Sequence, residues 1–235
     1  MSFKSLSMSA VAAMALCAGA AQAVTVNGFA NGGFEAAPTG APPPPGGSGY
    51  FAANWLFAPT GNPVGWSTDA HTGTHSALLT VPGGFGGSTL FQNSVDHGLL
   101  APLGAANVGD APMLTFWAKG DVSTTGNVLF SLRYLDAIGN ILSNSGNQFF
   151  QSQINTTTWS QISFQAAAIP AGTKAVFLEM NTAVGPLLDG RLNAVKIDDI
   201  NLALTVAVPE PGTYALLLAG LGGVATMARR RRQSV

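Results

Sequence analysis

Residues 113–120 read MLTFWAKG. Leu114, Phe116 and Ala118 fall on one side of an extended chain and Thr115, Trp117 and Lys119 on the other, which is the two-residue period of a half-buried strand. The neighbouring runs repeat the pattern at similar length. HSALLTV (75–81) leads into the glycine cluster Gly83–Gly87, and VLFSLRYLDAIGN (128–140) is a strand entering a turn at Asp136–Asn140. WSQISFQAA (159–167) sets Trp159, Gln161 and Ser163 against Ser160, Ile162 and Phe164. KAVFLEMN (174–181) and NAVKIDDINLAL (193–204) close the series, the latter with Val195, Ile197 and Asp199 opposite Lys196, Asp198 and Ile200. Between residues 24 and 207 no long helical period appears, and short strands separated by turn residues predict an all-β, antiparallel jelly-roll sandwich. The stretch APTGAPPPPGGSGYF (37–51) is a proline–glycine loop and cannot be a central strand.

Composition agrees with an extracellular β module: 29 glycines, 14 prolines and only 9% charged residues in 235. Of the ten basic residues, four are Arg229–Arg232 and one is Lys4. That leaves Lys119, Arg133, Lys174, Arg191 and Lys196 against the ten acids that precede Glu210. A nucleic-acid binder puts a basic face on its folded part, so that class of partner is set aside.

The two ends read as targeting segments. Lys4, an apolar run around Val11–Ala20 and the Ala21-Gln22-Ala23 site make a secretory signal peptide over residues 1–23, a helix cut after Ala23 by signal peptidase. The single cysteine, Cys17, lies within it, so the mature chain has no disulfide. Leu16 before Cys17 departs from the small residue of a lipoprotein signal. At the other end, residues 212–228 carry no charge and would span about 25 Å as a helix, slightly under the bilayer core. The basic tail 229–232 holds the C-terminal side of that transmembrane helix in the cytoplasm. Ala215, Ala219 and Gly223 give one helix face room for close approach, and Pro209 and Pro211 keep the backbone extended just outside the membrane.

Val208-Pro209-Glu210-Pro211, an apolar helix and Arg229-Arg230-Arg231-Arg232 resemble the PEP-CTERM sorting signal of Gram-negative bacteria over residues 208–235. The resemblance implies processing by an exosortase-type membrane peptidase, transient residence in the inner membrane, and a final place at the cell surface or outside the cell. An ordinary membrane anchor with a proline-containing stalk is the alternative. The tag says where the protein goes and leaves open what residues 24–207 do.

Those residues are similar, piece by piece, to the galactose-binding-like jelly rolls of carbohydrate-binding modules. NGGFE (31–35) stands as the opening strand, followed by GWS (65–67), GTHSALLT (73–80), LFQN (90–93), LTFWAKG (114–120), a Y-x-D-x-x-G stretch (134–139), TTTWSQISF (156–164), IPAGTKAVFLEM (169–180) and KIDDINL (196–202). The resemblance implies a structural Ca²⁺ between the opening and last strands, with Glu35 and Asp198 at the matching positions. Hard oxygen ligands suit that ion. The alternative is a pair of solvated surface acids.

Sugar binding needs exposed ring faces with polar groups beside them. Trp66 and Trp159 begin strands at positions that resemble the family's core tryptophans. Trp117, opposite Phe116, can serve core or surface and is a further candidate glycan contact. Trp55 and Tyr50, in or beside the proline–glycine loop, are the rings with the fewest structural reasons to be there and are the expected glycan contacts. Catalysis finds little support. His71 and His75 have the spacing of a helical zinc pair, but Gly73 and its threonine neighbours argue against a helix, so they read with His97 as loop histidines. No nucleophile elbow or phosphate loop is present, and no pair of carboxylates can be placed about a cleft. Thr156–Thr158 is too short a run for an ice-binding array. The expected function is that of an exported, non-catalytic surface or biofilm-matrix protein associating with exopolysaccharide. A structural or adhesive envelope protein without a glycan site is the alternative, and a weak glycan hydrolase is the least supported.

Overall fold

The computed structural model describes residues 22–38, 49–58, 61–93, 103, 105–186 and 188–208. The signal segment up to Ala21, most of the proline–glycine loop, His97 and residues 209–235 lie outside the described residues, and with them both expected terminal helices, Pro209, Glu210, Pro211 and Arg229–Arg232. Among the described residues no helix is long and apolar enough to cross a membrane. Thirteen strands follow in order: β1 (Gln22–Asn27), β2 (Gly49–Ala52), β3 (Trp55–Phe57), β4 (Val64–Ser67), β5 (Ser76–Val81), β6 (Gly86–Asn93), β7 (Met113–Asp121), β8 (Gly126–Leu135), β9 (Ile141–Asn144), β10 (Gln148–Phe149), β11 (Ser160–Gln165), β12 (Ala175–Val184) and β13 (Asn193–Val208).

They build two antiparallel sheets packed as a sandwich. The first runs β11-β7-β13-β5-β4, with β1 also on β13; the second runs β10-β8-β12-β6-β3-β2, with β9 also on β8. Residues Thr25–Thr205 form a compact unit of their own. The alternation read in 113–120 is the one observed: Leu114, Phe116 and Ala118 are fully buried while Trp117 and Lys119 are half-exposed. Facing them across the core are Val128, Phe130 and Leu132 of β8 and Val176, Leu178 and Met180 of β12. Phe116 meets Phe130 edge-on at 5.5 Å and Phe150 at 5.1 Å. Each such buried side chain contributes about 1.5–3 kcal/mol against the entropy of ordering the chain.

Strand β13 departs from strict alternation at a bulge. In β13, Val195 and Ile197 face the core, but so do Ile200, Leu202 and Leu204, because the register against β7 shifts between Asp198 and Asn201. Asp199 sits at φ 49°, a left-handed conformation that inserts one residue into the strand. Ile200 is therefore on the core face, not beside Lys196 as simple alternation predicts. The bulge is what places both aspartates at the candidate site.

Candidate functional site

The NGGFE segment is an irregular hook rather than a strand. Asn31 and Phe34 take left-handed φ values of 47° and 57°, a conformation costing on the order of 1–2 kcal/mol per residue. Gly32 lies flat on β13, where Ile200 donates its N–H to the Gly32 carbonyl at 3.0 Å and any Cβ would collide with the Ile200 carbonyl. Phe34 offsets the strain by burying completely against Phe51 and Trp55, at ring distances of 5.6 and 5.3 Å.

Here one sequence expectation is overturned. Trp55 is fully buried, and its Nε1–H donates to the carbonyls of Ala30 (2.9 Å) and Asn31 (3.0 Å). Asn54, at φ 74°, turns the β2–β3 hairpin so that the next side chain enters the core. Trp55 cannot be a sugar platform. Trp66 departs in the other direction: it is 39% exposed on edge strand β4, with Phe51 edge-on at 6.0 Å and the His75 ring at 4.7 Å. Trp159 is half-exposed. Tyr50 pairs with Leu56 across the edge of the second sheet.

With the hook fixed, Glu35 projects at the loop between β4 and β5. Its Oε1 accepts the N–H of Thr74 and of His75, both at 2.8 Å, and Oε2 accepts the Thr74 hydroxyl at 2.7 Å. Those bonds, the Thr74 hydroxyl first, pull its pKa down to about 2. Asp198 holds the same loop from beneath. It is fully buried and accepts the N–H groups of His71 (2.7 Å), Thr72 (3.2 Å) and Asp199 (2.8 Å). Burial pushes its carboxyl up to about 6 although these donors and their partial charges pull it down.

Asp199 completes the latch by pairing with His71 Nδ1 at 2.6 Å and accepting the Thr72 hydroxyl at 2.6 Å. Asp69, further back in the loop, sits between Lys119 (2.7 Å) and Lys196 (2.5 Å), and the Lys119 bond leads in lowering its pKa. The loop thus lies over the outer face of the first sheet. His71 stacks flat on Trp117, with centroids 3.8 Å apart and planes 12° from parallel. That covers one face of the Trp117 ring, a further candidate glycan contact. Among the described residues no group of three or more histidines, cysteines or carboxylates is close enough to hold a metal by side chains alone.

The outer face of the second sheet is different in character. Across four strands it places Leu56, Phe91, Glu179 and Ser131 in register. Phe91 and Phe177, diagonal neighbours, stack at 5.7 Å and 29°. Arg133 lies over Phe177 at 5.3 Å and pairs with Glu179 at 2.7 Å, while its Nε is buried and has no hydrogen-bond partner among the described residues. Asn181 donates to the Thr89 hydroxyl at 2.5 Å on the next rung. Rings, a guanidinium, a carboxylate, an amide and a hydroxyl therefore share the outer face of the second sheet, where Phe91 and Phe177 are half-buried. The sequence carried a trace of this: Phe177 falls among the outward positions of KAVFLEMN, with Glu179 and Asn181, where a strand of a sandwich is otherwise polar.

Beyond β13 the chain enters Val208-Pro209-Glu210-Pro211, the apolar run and the arginine cluster. Residues 207–232 carry a PEP-CTERM protein-sorting motif. The motif marks the chain for export and transient anchoring through its C-terminus, with processing by an exosortase. No curated protein matches the chain. Among solved structures, the enzymatically active domain of tailspike protein 4 of bacteriophage CBA120 is similar to 76% of this chain with a TM-score of 0.53 and 19% identity. The match covers 21% of that chain, about a fifth of its length, and at this identity the likeness is one of fold. The CBM22-1 xylan-binding domain of Paenibacillus barcinonensis Xyn10C is similar over 81% of this chain and 99% of its own, at a TM-score of 0.44 and 12% identity. A Stig cyclase, Fisc, from Fischerella sp. TAU is similar over 80% and 100%, at 0.47 and 15%.

Proposed function

We propose that this PEP-CTERM chain is a non-catalytic surface or matrix protein that binds polysaccharide, the producing cell's own exopolysaccharide first, on the outer face of its second sheet. The observation that carries this reading is the Phe91–Phe177 stack with Arg133 and Glu179 set against it. Sugar C–H faces pack on such rings while paired polar groups fix the hydroxyls. The carboxylates support the non-catalytic side of the reading. Glu35 is held by backbone N–H groups and the Thr74 hydroxyl, with its pKa lowered to about 2, and Glu179 is held by Arg133, which leaves neither poised as a free acid or base.

Phe177→Ala in the full-length chain, held in a detergent without a sugar headgroup, is expected to weaken retention in polysaccharide affinity gels about tenfold. That corresponds to about 1.4 kcal/mol of lost stacking. Its melting midpoint should fall by a few degrees at most, because the half-buried ring lies on the outer face of the sheet and outside the core. Unchanged retention, or no retention of the parent chain by any gel, would leave the structural or adhesive reading.

The same proposal includes a structural Ca²⁺ held by Glu35 and Asp198, with backbone carbonyls supplying the rest of six to eight oxygen ligands. Charge balance supports the fit. Asp198 is fully buried, its partners are neutral N–H groups, and among the described residues no lysine or arginine pairs with it. A divalent ion would supply the missing counter-charge and clamp the hook to β13, a role for which a mature chain without disulfides has use.

A further inference from the structure

The compact unit ends at Thr205, and the Asn107 side chain fixes that point by donating to the Thr205 carbonyl at 2.6 Å. Further bonds carry this end of the sandwich across to the second sheet. Gly109 N–H donates to the Ile169 carbonyl at 2.9 Å, and Ile169 N–H to that of Asp110 at 2.8 Å. The Tyr134 hydroxyl donates to the Ala167 carbonyl, and Lys174 N–H to that of Leu135, both at 2.8 Å. Segments 105–113, 136–142 and 166–174 therefore meet at the end from which β13 leaves.

Their larger exposed side chains are apolar. Val108, Met113, Ile138, Ile141 and Leu142 all face solvent, Ile138 to 85%. The charges on the three segments are Asp110, Asp136 and Lys174. Asp136 is turned inward: it accepts the N–H groups of Ile138 and Asn140 and the Asn140 side-chain amide, each at 2.9 Å. The turn is pinned by those bonds with Ile138 at its tip, and Ile141 and Leu142 follow on β9 at the edge of the second sheet. Leu142 Cδ1 stands 3.8 Å from where a Cβ on Gly172 would be, which joins β9 to the 166–174 segment. A pinned turn that offers isoleucine to water adds no burial to the fold. The opposite end also exposes apolar side chains, Phe85 among them, but the chain does not leave there.

The tether names the occupant. The sorting motif anchors the chain transiently through its C-terminus. Residues 206–211 join Thr205 to the uncharged run 212–228, and seven extended steps reach about 25 Å at most. While the anchor is uncut, the exit end is held within that reach of lipid, and a short link corresponds to an effective concentration in the millimolar range. A contact too weak to hold a free protein is populated under those conditions. Aliphatic side chains on a pinned tip, with a long lysine on the same end, match the boundary between acyl chains and headgroups. We propose that the exit end of the sandwich, Ile138, Ile141 and Leu142 foremost, rests in the lipid interface of the membrane that anchors the chain. The proposal builds on the sorting motif and stands whether or not the second sheet binds polysaccharide.

Tryptophan quenching tests it on the full-length chain in vesicles of phosphatidylethanolamine and phosphatidylglycerol, with and without brominated acyl chains. Ile138→Trp and Phe85→Trp place reporters at the two ends, on positions 85% and 81% exposed. Above the background of the native tryptophans, the Ile138→Trp reporter is expected to be quenched at least about threefold more than Phe85→Trp. The quenching should persist in high salt, because the contact is apolar. Adding Ile141→Ser and Leu142→Ser to Ile138→Trp should lower the contact's equilibrium constant about tenfold, with circular dichroism unchanged from the parent. Equal quenching of the two reporters overturns the proposal, as does quenching confined to Phe85→Trp, none above background, or indifference to the two serines. An Ile138→Trp emission that shifts to the blue with protein density but is untouched by bromine would put a second copy of the chain on this end, and overturns it too. None of these outcomes bears on retention by polysaccharide gels.

Discussion

Trp55→Ala is expected to destabilise the fold by about 3–5 kcal/mol, the range for truncating a large buried aromatic. The indole is fully buried and touches Phe29 and Phe34 at ring distances of 6.0 and 5.3 Å. Its removal also takes one of two donors from each of the Ala30 and Asn31 carbonyls, which keep the Gln92 amide and the Phe34 N–H. The hook held by those contacts stores strain at Asn31 and Phe34, and strained conformations persist only while their surroundings over-determine them. Loss of the indole should therefore also loosen Glu35 from the 69–75 loop. Urea unfolding of the full-length chain followed by circular dichroism measures the loss. Trp55→Phe, which keeps a ring and gives up only the donor, should cost about 1–2 kcal/mol. A denaturation midpoint in Trp55→Ala equal to that of the parent would contradict the burial. Any accompanying fall in glycan retention would be unfolding, not a lost sugar contact.

The contrast between Trp55 and Trp66 shows where sequence reading stops. Strands β5, β7, β8 and β12 were legible because a sheet buried on one face imposes a period of two, and their residues keep it. Trp55 follows a proline–glycine loop, and composition alone suggests an exposed ring; what decides otherwise is one left-handed residue, Asn54, which aims it inward. Trp66 reads as a core residue, yet β4 ends its sheet, so its inward side is only partly covered. The Phe91–Phe177 stack joins strands far apart in the chain, and no local pattern announces which outward residues become neighbours. Glu35 and Asp198 were singled out through a family resemblance; that both grip one loop, with Asp199 beside them, depends on a bulge that alternation does not forecast.

Stability should rise, not fall, as a chelator-treated sample is acidified from pH 7 to about 5. Asp198 decides the sign. The fold raises its pKa from 3.8 to about 6, so the fold favours the protonated form. Its contribution is complete below about 3.8 and is lost as the pH climbs through 6. That span corresponds to on the order of 3 kcal/mol. Glu35 acts in the opposite sense. Its pKa is lowered from 4.5 to about 2, so its contribution is present above 4.5 and lost as the pH falls through 2. Asp69, Asp136 and Asp189, also lowered, side with Glu35. Acidification therefore stabilises down to about pH 5, and the trend turns over below about 4. The charged and titratable groups in contact with the latch around Asp198 are Asp199 and His71, so Asp198→Asn is the control. It keeps an oxygen for the N–H donors, should raise the melting midpoint at pH 7, and should abolish the part of the slope that belongs to Asp198. Calcium supplies the decisive contrast. A bound cation favours the charged carboxylate, so saturating Ca²⁺ should reverse the slope between pH 7 and 5. At a hundred times its Kd it should add about 2.7 kcal/mol at pH 7, and Asp198→Asn and Glu35→Gln should each lose that gain. A melting midpoint indifferent to Ca²⁺ would end the metal proposal and leave Asp198 as a buried acid whose proton latches the loop. A slope that falls on acidification in chelator would mean that the carboxylate is not starved of positive charge, and with it would go the reason for placing an ion there.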